Sequence, residues 1–345
     1  MRTMSLLMGL LVVSTLSAQS LNIPAKQWGL SIGNSKKFTG VRINFSDKNL
    51  EEINGLNITL WKARSNETGV INGVALGLVG PEAREINGLG FGLGVGAGKR
   101  LRGVSLGILG VGAGGDVLGI NIGGLGVGGG NDVKGINIGG LGVGAGGDIK
   151  GINIGGLGVG GGGDVGGFSF GLLGVGASEN LCGIAIGGLG VGSGAHLKGF
   201  ALGLLGAGAG KSVKGLVIGG LGCGAGENAT GILLGGLGVG TGKSLNGFGF
   251  GLVGVGAGEQ IKGMSLAGAL IKTKKFTGIG GASYLRVDHF KGFSFAGLTN
   301  FHSSRGLSIA IVNVSRELHG LQLGLFNYTG NNRFFKFTPI LNAHF

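Results

Sequence analysis

Proline, cysteine and the polar aromatics are scarce in this chain: three prolines, two cysteines, two tryptophans and two tyrosines among 345 residues. Each scarcity excludes something. With so little proline and no Gly-X-Y triplet, the 88 glycines do not make a collagen. The two cysteines hold different places in a repeat, Cys182 where a turn lysine usually stands and Cys223 where a core valine does. They lie more than two repeats apart, so no disulfide framework is expected. His196, His289, His302, His319 and His344 form no His-x-x-x-His or His/Cys pair, so no metal site is expected. No later apolar run is uninterrupted enough to span a membrane as a helix. Charged residues are only 12% of the chain, yet the non-glycine residues are largely Ile, Leu, Val and Phe and the mean hydropathy is +0.44. That composition excludes a disordered glycine linker, which would carry Ser, Pro and charge.

What is present is a period. Gly119, Gly135, Gly151, Gly167, Gly183, Gly199, Gly215, Gly231, Gly247 and Gly263 fall sixteen residues apart. Each opens the same phrase, plainest as Gly151-Ile152-Asn153-Ile154-Gly155-Gly156-Leu157-Gly158-Val159-Gly160. A period this strict marks a repeat architecture. The chain divides by pattern into a secretory leader at 1–18, irregular β repeats at 19–87, regular sixteen-residue repeats at 88–277, and shorter repeats with an aromatic cap at 278–345. Arg2 supplies the basic start of the leader, Ser5 to Leu16 its apolar stretch, and Ser17-Ala18 its small residues.

Within a unit, Ile152 and Ile154 share one parity while Leu157 and Val159 share the other. A straight strand cannot keep one apolar face through that change, but a corner or bulge can. Two all-β architectures follow. In the first, a two-layer β-solenoid of 14–18-residue coils, both pairs point inward from opposite walls. Gly155-Gly156 makes one corner, Gly162-Gly163-Asp164-Val165 begins the other, and Asn121, Asn137 and Asn153 form a side-chain ladder. In the second, an up-and-down outer-membrane β-barrel, each unit is one strand with its apolar residues facing lipid. Connections of one length, and regular units without Trp or Tyr, favour the solenoid; the alternation of Phe337, Pro339, Leu341, Ala343 and Phe345 favours the barrel. Open solenoid ends invite polymerisation, so the Trp-bearing N-terminal section and the stretch Arg333 to Phe337 are expected to cap them.

Chemistry is sparse. Gly206 to Ser212 and the ending Gly242-Lys243-Ser244 imitate a phosphate loop, but Leu205 and Leu237 occupy the place of its first glycine and no helical pattern follows. Asp116, Asp132, Asp148 and Asp164 recur at the period as single turn carboxylates. No residue is assigned a catalytic, cofactor-binding or metal role, and no cofactor is expected. The formal charge of +13 suggests anionic envelope lipid or polysaccharide as partner, or self-association, rather than nucleic acid.

The phrases Gly306–Val314 and Gly320–Tyr328, with the ending Asn331 to Phe345, resemble a bacterial family of exported surface-repeat proteins. Its units are of the Gly-Leu-Gln-Leu-Gly-Leu-Phe-Asn type, and it closes on a similar aromatic tail. Asn54-Gly55-Leu56 and Asn72-Gly73-Val74 match its N-terminal units. The resemblance implies an outer-membrane or cell-surface location and supplies no activity. The expectation is therefore a non-enzymatic exported surface or structural protein serving adhesion or envelope assembly, with an outer-membrane pore as the alternative.

Overall fold

A computed structural model describes residues 20–64, 66–332 and 336–345. The expected leader at 1–18 and residues 333–335 of the expected cap lie outside the described residues. The chain divides into two compact units at the Gly156–Leu157 bond.

The first unit opens with Leu21–Pro24 antiparallel to Trp28–Ile32. Every later pairing in it is parallel. Trp28–Ile32, Lys37–Asn44, Glu52–Thr59, Val70–Gly77 and the long run Glu82–Ala113 follow one another in register. The regular coils then carry a long and a short strand each, such as Asp116–Gly123 with Gly126–Gly129 and Val133–Gly139 with Gly142–Ala145. Long pairs with long and short with short: Ile136 opposes Ile152, and Val127 opposes Val143. The second unit repeats this arrangement from Val165–Gly171 with Gly174–Ala177 through Gln260–Ala267. It continues through the run Leu270–Thr329 and ends on Phe337–His344, antiparallel to Gly320–Tyr328. Each unit is thus a parallel β-solenoid. The barrel alternative needed antiparallel neighbours and does not form. An antiparallel strand covers the first edge of one unit and the last edge of the other, which blunts edges that would otherwise template further pairing.

The phrase glycine makes the coil turn. Its φ is positive throughout, +117° at Gly151 and +125° at Gly247. In the second unit, a Cβ placed on Gly249 would lie 2.7 Å from Leu245 Cδ2 and 3.2 Å from Val255 Cγ1. A straight strand separates residues four apart by roughly 13 Å. The long strand is therefore bent at Gly247, and three inward positions converge: two before the phrase glycine, two after it, and eight after it. The next bend falls at Gly156 and Leu157 in the plainest unit, one residue after the corner expected at Gly155-Gly156.

The inward set corrects the expected one. Asn153 is 0% exposed and Val159 3%, whereas Ile152 is 43% and Leu157 46% exposed. The Ile pair and the leucine face outward; of the four residues expected inside, only Val159 is there. The residue missing from the expected core is Ile149, fully buried two places before the glycine. The interior is too thin for two facing rows of branched residues. It takes one residue from each flank and a third between them, whose size is traded against theirs.

That third column carries Asn121, Asn137 and Asn153 in the first unit, then Ala185, Ala201, Val217 and Leu233 in the second, all fully buried. Asn121 Nδ2 donates to Asn137 Oδ1 at 2.9 Å, and Asn137 Nδ2 to Asn153 Oδ1 at 2.9 Å. The expected ladder exists, but inside the coil. An amide is tolerable there because the next coil bonds it; unbonded, it would cost about 1–3 kcal/mol. Where the column is apolar, volume is shared out coil by coil. Ala229 accompanies Leu233, and in the next coil Leu245 accompanies Gly249. Close packing requires that complementarity.

Gly183 has φ +117°, and a Cβ on it would lie 2.2 Å from the carbonyl oxygen of Gly167 one coil earlier. A Cβ on Gly176 would meet nothing within 4 Å. Gly183→Ala is expected to cost about 2 kcal/mol or more through strain and lost register. Gly176→Ala is expected to be neutral or to stabilise by about 0.5 kcal/mol. Urea midpoints of the two variants check the contrast.

Candidate binding surface

Outside, each regular coil shows three surfaces. The first is apolar. The residues one and three after the phrase glycine are Ile120 and Ile122, Ile136 and Ile138, and Ile152 and Ile154 in successive coils of the first unit. In the second unit they include Ile184 and Ile186, Phe200 and Leu202, Leu216 and Ile218, and Phe248 and Phe250. At the following corner Leu173, Leu189, Leu205, Leu221 and Leu237 form a row of half-exposed leucines, each amide bonded to the carbonyl of the leucine one coil earlier. A contiguous exposed apolar surface of this kind marks a protein or membrane interaction site.

The second surface, over the short strand, is nearly bare backbone. Gly174 and Gly176, Gly190 and Gly192 point outward from it, with Val175 and Val191 pointing in. The third is polar and follows the second bend. Asp132 Oδ2 accepts from Lys134 Nζ at 2.6 Å, and its Oδ1 from the Asp148 amide at 3.0 Å. Both contacts hold the Asp132 carboxyl below its ordinary range. Arg100 pairs with Asp116 at 3.5 Å, Lys150 with Asp148 at 2.6 Å, and Asp164 Oδ1 accepts from the amide of Asn180 at 3.1 Å. The row of turn carboxylates anticipated from the period is thus committed to neighbouring cations or to the coil that follows.

Between this edge and the apolar wall runs a basic row. The residue before the phrase glycine is Arg102, Lys134 and Lys150 in three coils of the first unit and Lys198, Lys214, Lys262, Lys291 and Arg305 in five of the second; elsewhere it is mostly uncharged, as at Asn87, Leu118, Gly166, Cys182, Thr230 and Asn246. In neither unit is that position ever Asp or Glu. The five cations of the second unit are exposed and take part in no ion pair among the described residues.

The remaining residues noted in the sequence do not assemble a reaction centre. Lys243, in the imitation phosphate loop, lies 3.1 Å from Glu227, and His196 Nδ1 lies 2.6 Å from Ser212 Oγ. His289 and His302 meet edge to face at 6.0 Å, and His319 and His344 at 6.2 Å. Among the described residues no three His, Cys, Asp or Glu side chains gather as a metal site would require. Cys182 is exposed, whereas Cys223 is inward and burial pushes its thiol up to about 12. That thiol is protonated and inert at neutral pH.

The sequence reading missed one polar cluster. Arg42 and Asp47 are both 0% exposed and ion-paired through Nη1 and Oδ1. Asn57 accepts from Arg42 at 2.6 Å and donates to Asp47 at 3.1 Å, and Thr59 donates to Asp47 at 2.8 Å. Arg42 occupies the same inward column as the asparagines, in register with Ser31 and Asn57. Full burial closes it to any substrate, so it is an internal fastening of the first coils. The signal that could have found it is parity: Arg42 sits where Asn57 sits.

Comparison with protein-family models, curated proteins and solved structures finds no match to this chain.

Burial alone would raise the Asp47 carboxyl, but the Arg42 charge and the Arg42, Asn44 and Thr59 hydrogen bonds together hold it below 3.8. A carboxyl depressed in the fold contributes stability that is complete above its unfolded value and disappears as pH falls through the folded one. Amide-exchange protection over residues 42–59 is therefore expected to be flat from pH 7 to about 4 and to fall below that. Asp47→Asn should abolish this acid response and cost about 3 kcal/mol at pH 7, because Arg42 is left buried without its counter-charge.

Proposed function

We propose that this protein is a non-enzymatic surface protein whose apolar wall lies on an anionic lipid surface. One observation carries the reading: outward aliphatic rows, in register from coil to coil, are flanked by a column that holds eight cations and no carboxylate. An amphipathic surface of this kind lowers its apolar side into the headgroup boundary while its cations meet anionic headgroups. The other partners compatible with the charge fit less well. A polysaccharide needs hydrogen-bonding groups, and the regular wall presents none. Face-to-face association of two copies would bring together two bodies of formal charge +13 each. The leader-like N-terminus and the resemblance of the flanking repeats to exported surface-repeat proteins support an envelope location, where adhesion or envelope assembly is the role.

Flotation with vesicles tests this. The protein should co-float with phosphatidylglycerol-containing vesicles and do so less in high salt. Lys198→Glu with Lys214→Glu should weaken binding by about 1 kcal/mol or more per site. Leu205→Asp, in the half-exposed leucine row of the wall, should weaken it further with an unchanged thermal midpoint. Absence of co-flotation at low salt, or binding indifferent to Leu205→Asp, would contradict the reading.

A further inference from the structure

At the C-terminal end of the second unit the apolar wall is not flat. A cavity of about 920 Å³ opens along it between Phe250 and Leu325. Its floor, four residues after each phrase glycine, is Ala267, Ala282, Ala296, Ala310 and Gly324. Large residues wall it, among them Leu266, Phe295 and Ile309, and small ones (Gly268, Gly281, Ser283, Gly297) open room between them above the floor. The phrase glycines from Gly247 to Gly320 are five coil spacings apart, so the trough is roughly 24 Å long at strand spacing.

We infer that this trough holds a single long acyl chain of an anionic amphiphile. The volume is in the range of small-molecule sites, but the chemistry of the lining is narrow. Its one side-chain hydroxyl, Ser283 Oγ, donates to the Gly268 carbonyl at 2.6 Å, and no charged side chain lines it. Nothing in it rewards a polar ligand. A linear row of Ala and Gly along a floor of this length suits a flexible hydrocarbon better than a compact ring system. The exposed cations Lys262, Lys291 and Arg305 stand on the same coils, before their phrase glycines, and supply charge for an anionic head group.

A second observation points to the same place. Ile340 is β-branched and has φ +69°, a conformation such residues rarely adopt. It sits opposite Gly324 where the terminal strand's register slips between Gly324 and Asn327. The same Ile340 is 73% exposed and lines the trough. Strain of this kind persists where surrounding structure imposes it, and it concentrates at ligand clamps. Here it keeps an aliphatic side chain over the end of an apolar channel.

The inference rests on the lipid-surface reading for the identity of the ligand, but the two separate experimentally. The full chain is titrated with hexadecanoate below its aggregation concentration, and vesicle flotation is run on the same variants. One saturable site is expected, with affinity rising roughly fourfold per methylene from octanoate to hexadecanoate. Ser283→Phe, which fills the middle from an exposed position, should weaken hexadecanoate at least tenfold, and Leu325→Asp at the rim should do the same. Ser283→Phe, which keeps the wall apolar, should leave flotation intact. Non-saturating adsorption, or affinity unchanged in both variants, overturns the trough. Saturable hexadecanoate binding with no flotation upholds the trough and removes the membrane as its source of ligand.

Discussion

A glycine carbonyl beneath a glycine Cα is the contact on which every coil rests. At Gly135 the position of an absent Cβ is 2.0 Å from the Gly119 oxygen, and at Gly199 it is 2.2 Å from the Gly183 oxygen. The same relation links Gly40 to Gly29 near one end of the chain and Gly320 to Gly306 near the other. Any side chain would force neighbouring coils apart and break the hydrogen-bond ladder on both sides. The column therefore fixes register, and with register the period. It also explains how the units tolerate lengths from 11 to 18 residues: variation falls between phrases, and the stacked glycine stays in place.

From the bend at that glycine follows a small interior. A coil buries about two aliphatic side chains of ordinary size, each contributing roughly 1.5–3 kcal/mol. Several strand glycines at about 0.5–1 kcal/mol apiece oppose them. The margin within one coil is narrow, so stability comes from stacking many. Most of the aliphatic side chains cannot fit inside and stand outside instead. The outward apolar surface is thus a product of what the core excludes: the thinner the interior, the more aliphatic side chains stand outside.

Much of the architecture was legible in the sequence. The period, the parallel stacking, the corner near Gly155-Gly156 and the asparagine ladder follow from spacing and glycine placement alone. The assignment of faces did not. Ile152, Asn153 and Ile154 alternate strictly, and hydrophobic patterning puts the isoleucines inside. The pattern cannot register how much room the interior has. Room is set by the bend at Gly151, whose positive φ is invisible in a chain where glycine is everywhere. The ladder itself held the missing hint. Amides stacked at one position for three coils bond best away from water, and Asn121, Asn137 and Asn153 satisfy that only from inside. The trough was beyond sequence reading altogether, because it needs the terminal strand to return antiparallel and bring Ile340 to Gly324.

The central claim is which side of the long strand faces in, and two adjacent residues decide it. Ile184 is 45% exposed and Ala185 0%. In a Cys182→Ser background, Ile184→Cys and Ala185→Cys can be treated with a water-soluble maleimide under native conditions. Rapid labelling at 184 with protection at 185 until the protein is unfolded is the predicted result. Labelling at 185 with protection at 184 would contradict it and put the apolar rows back in the core.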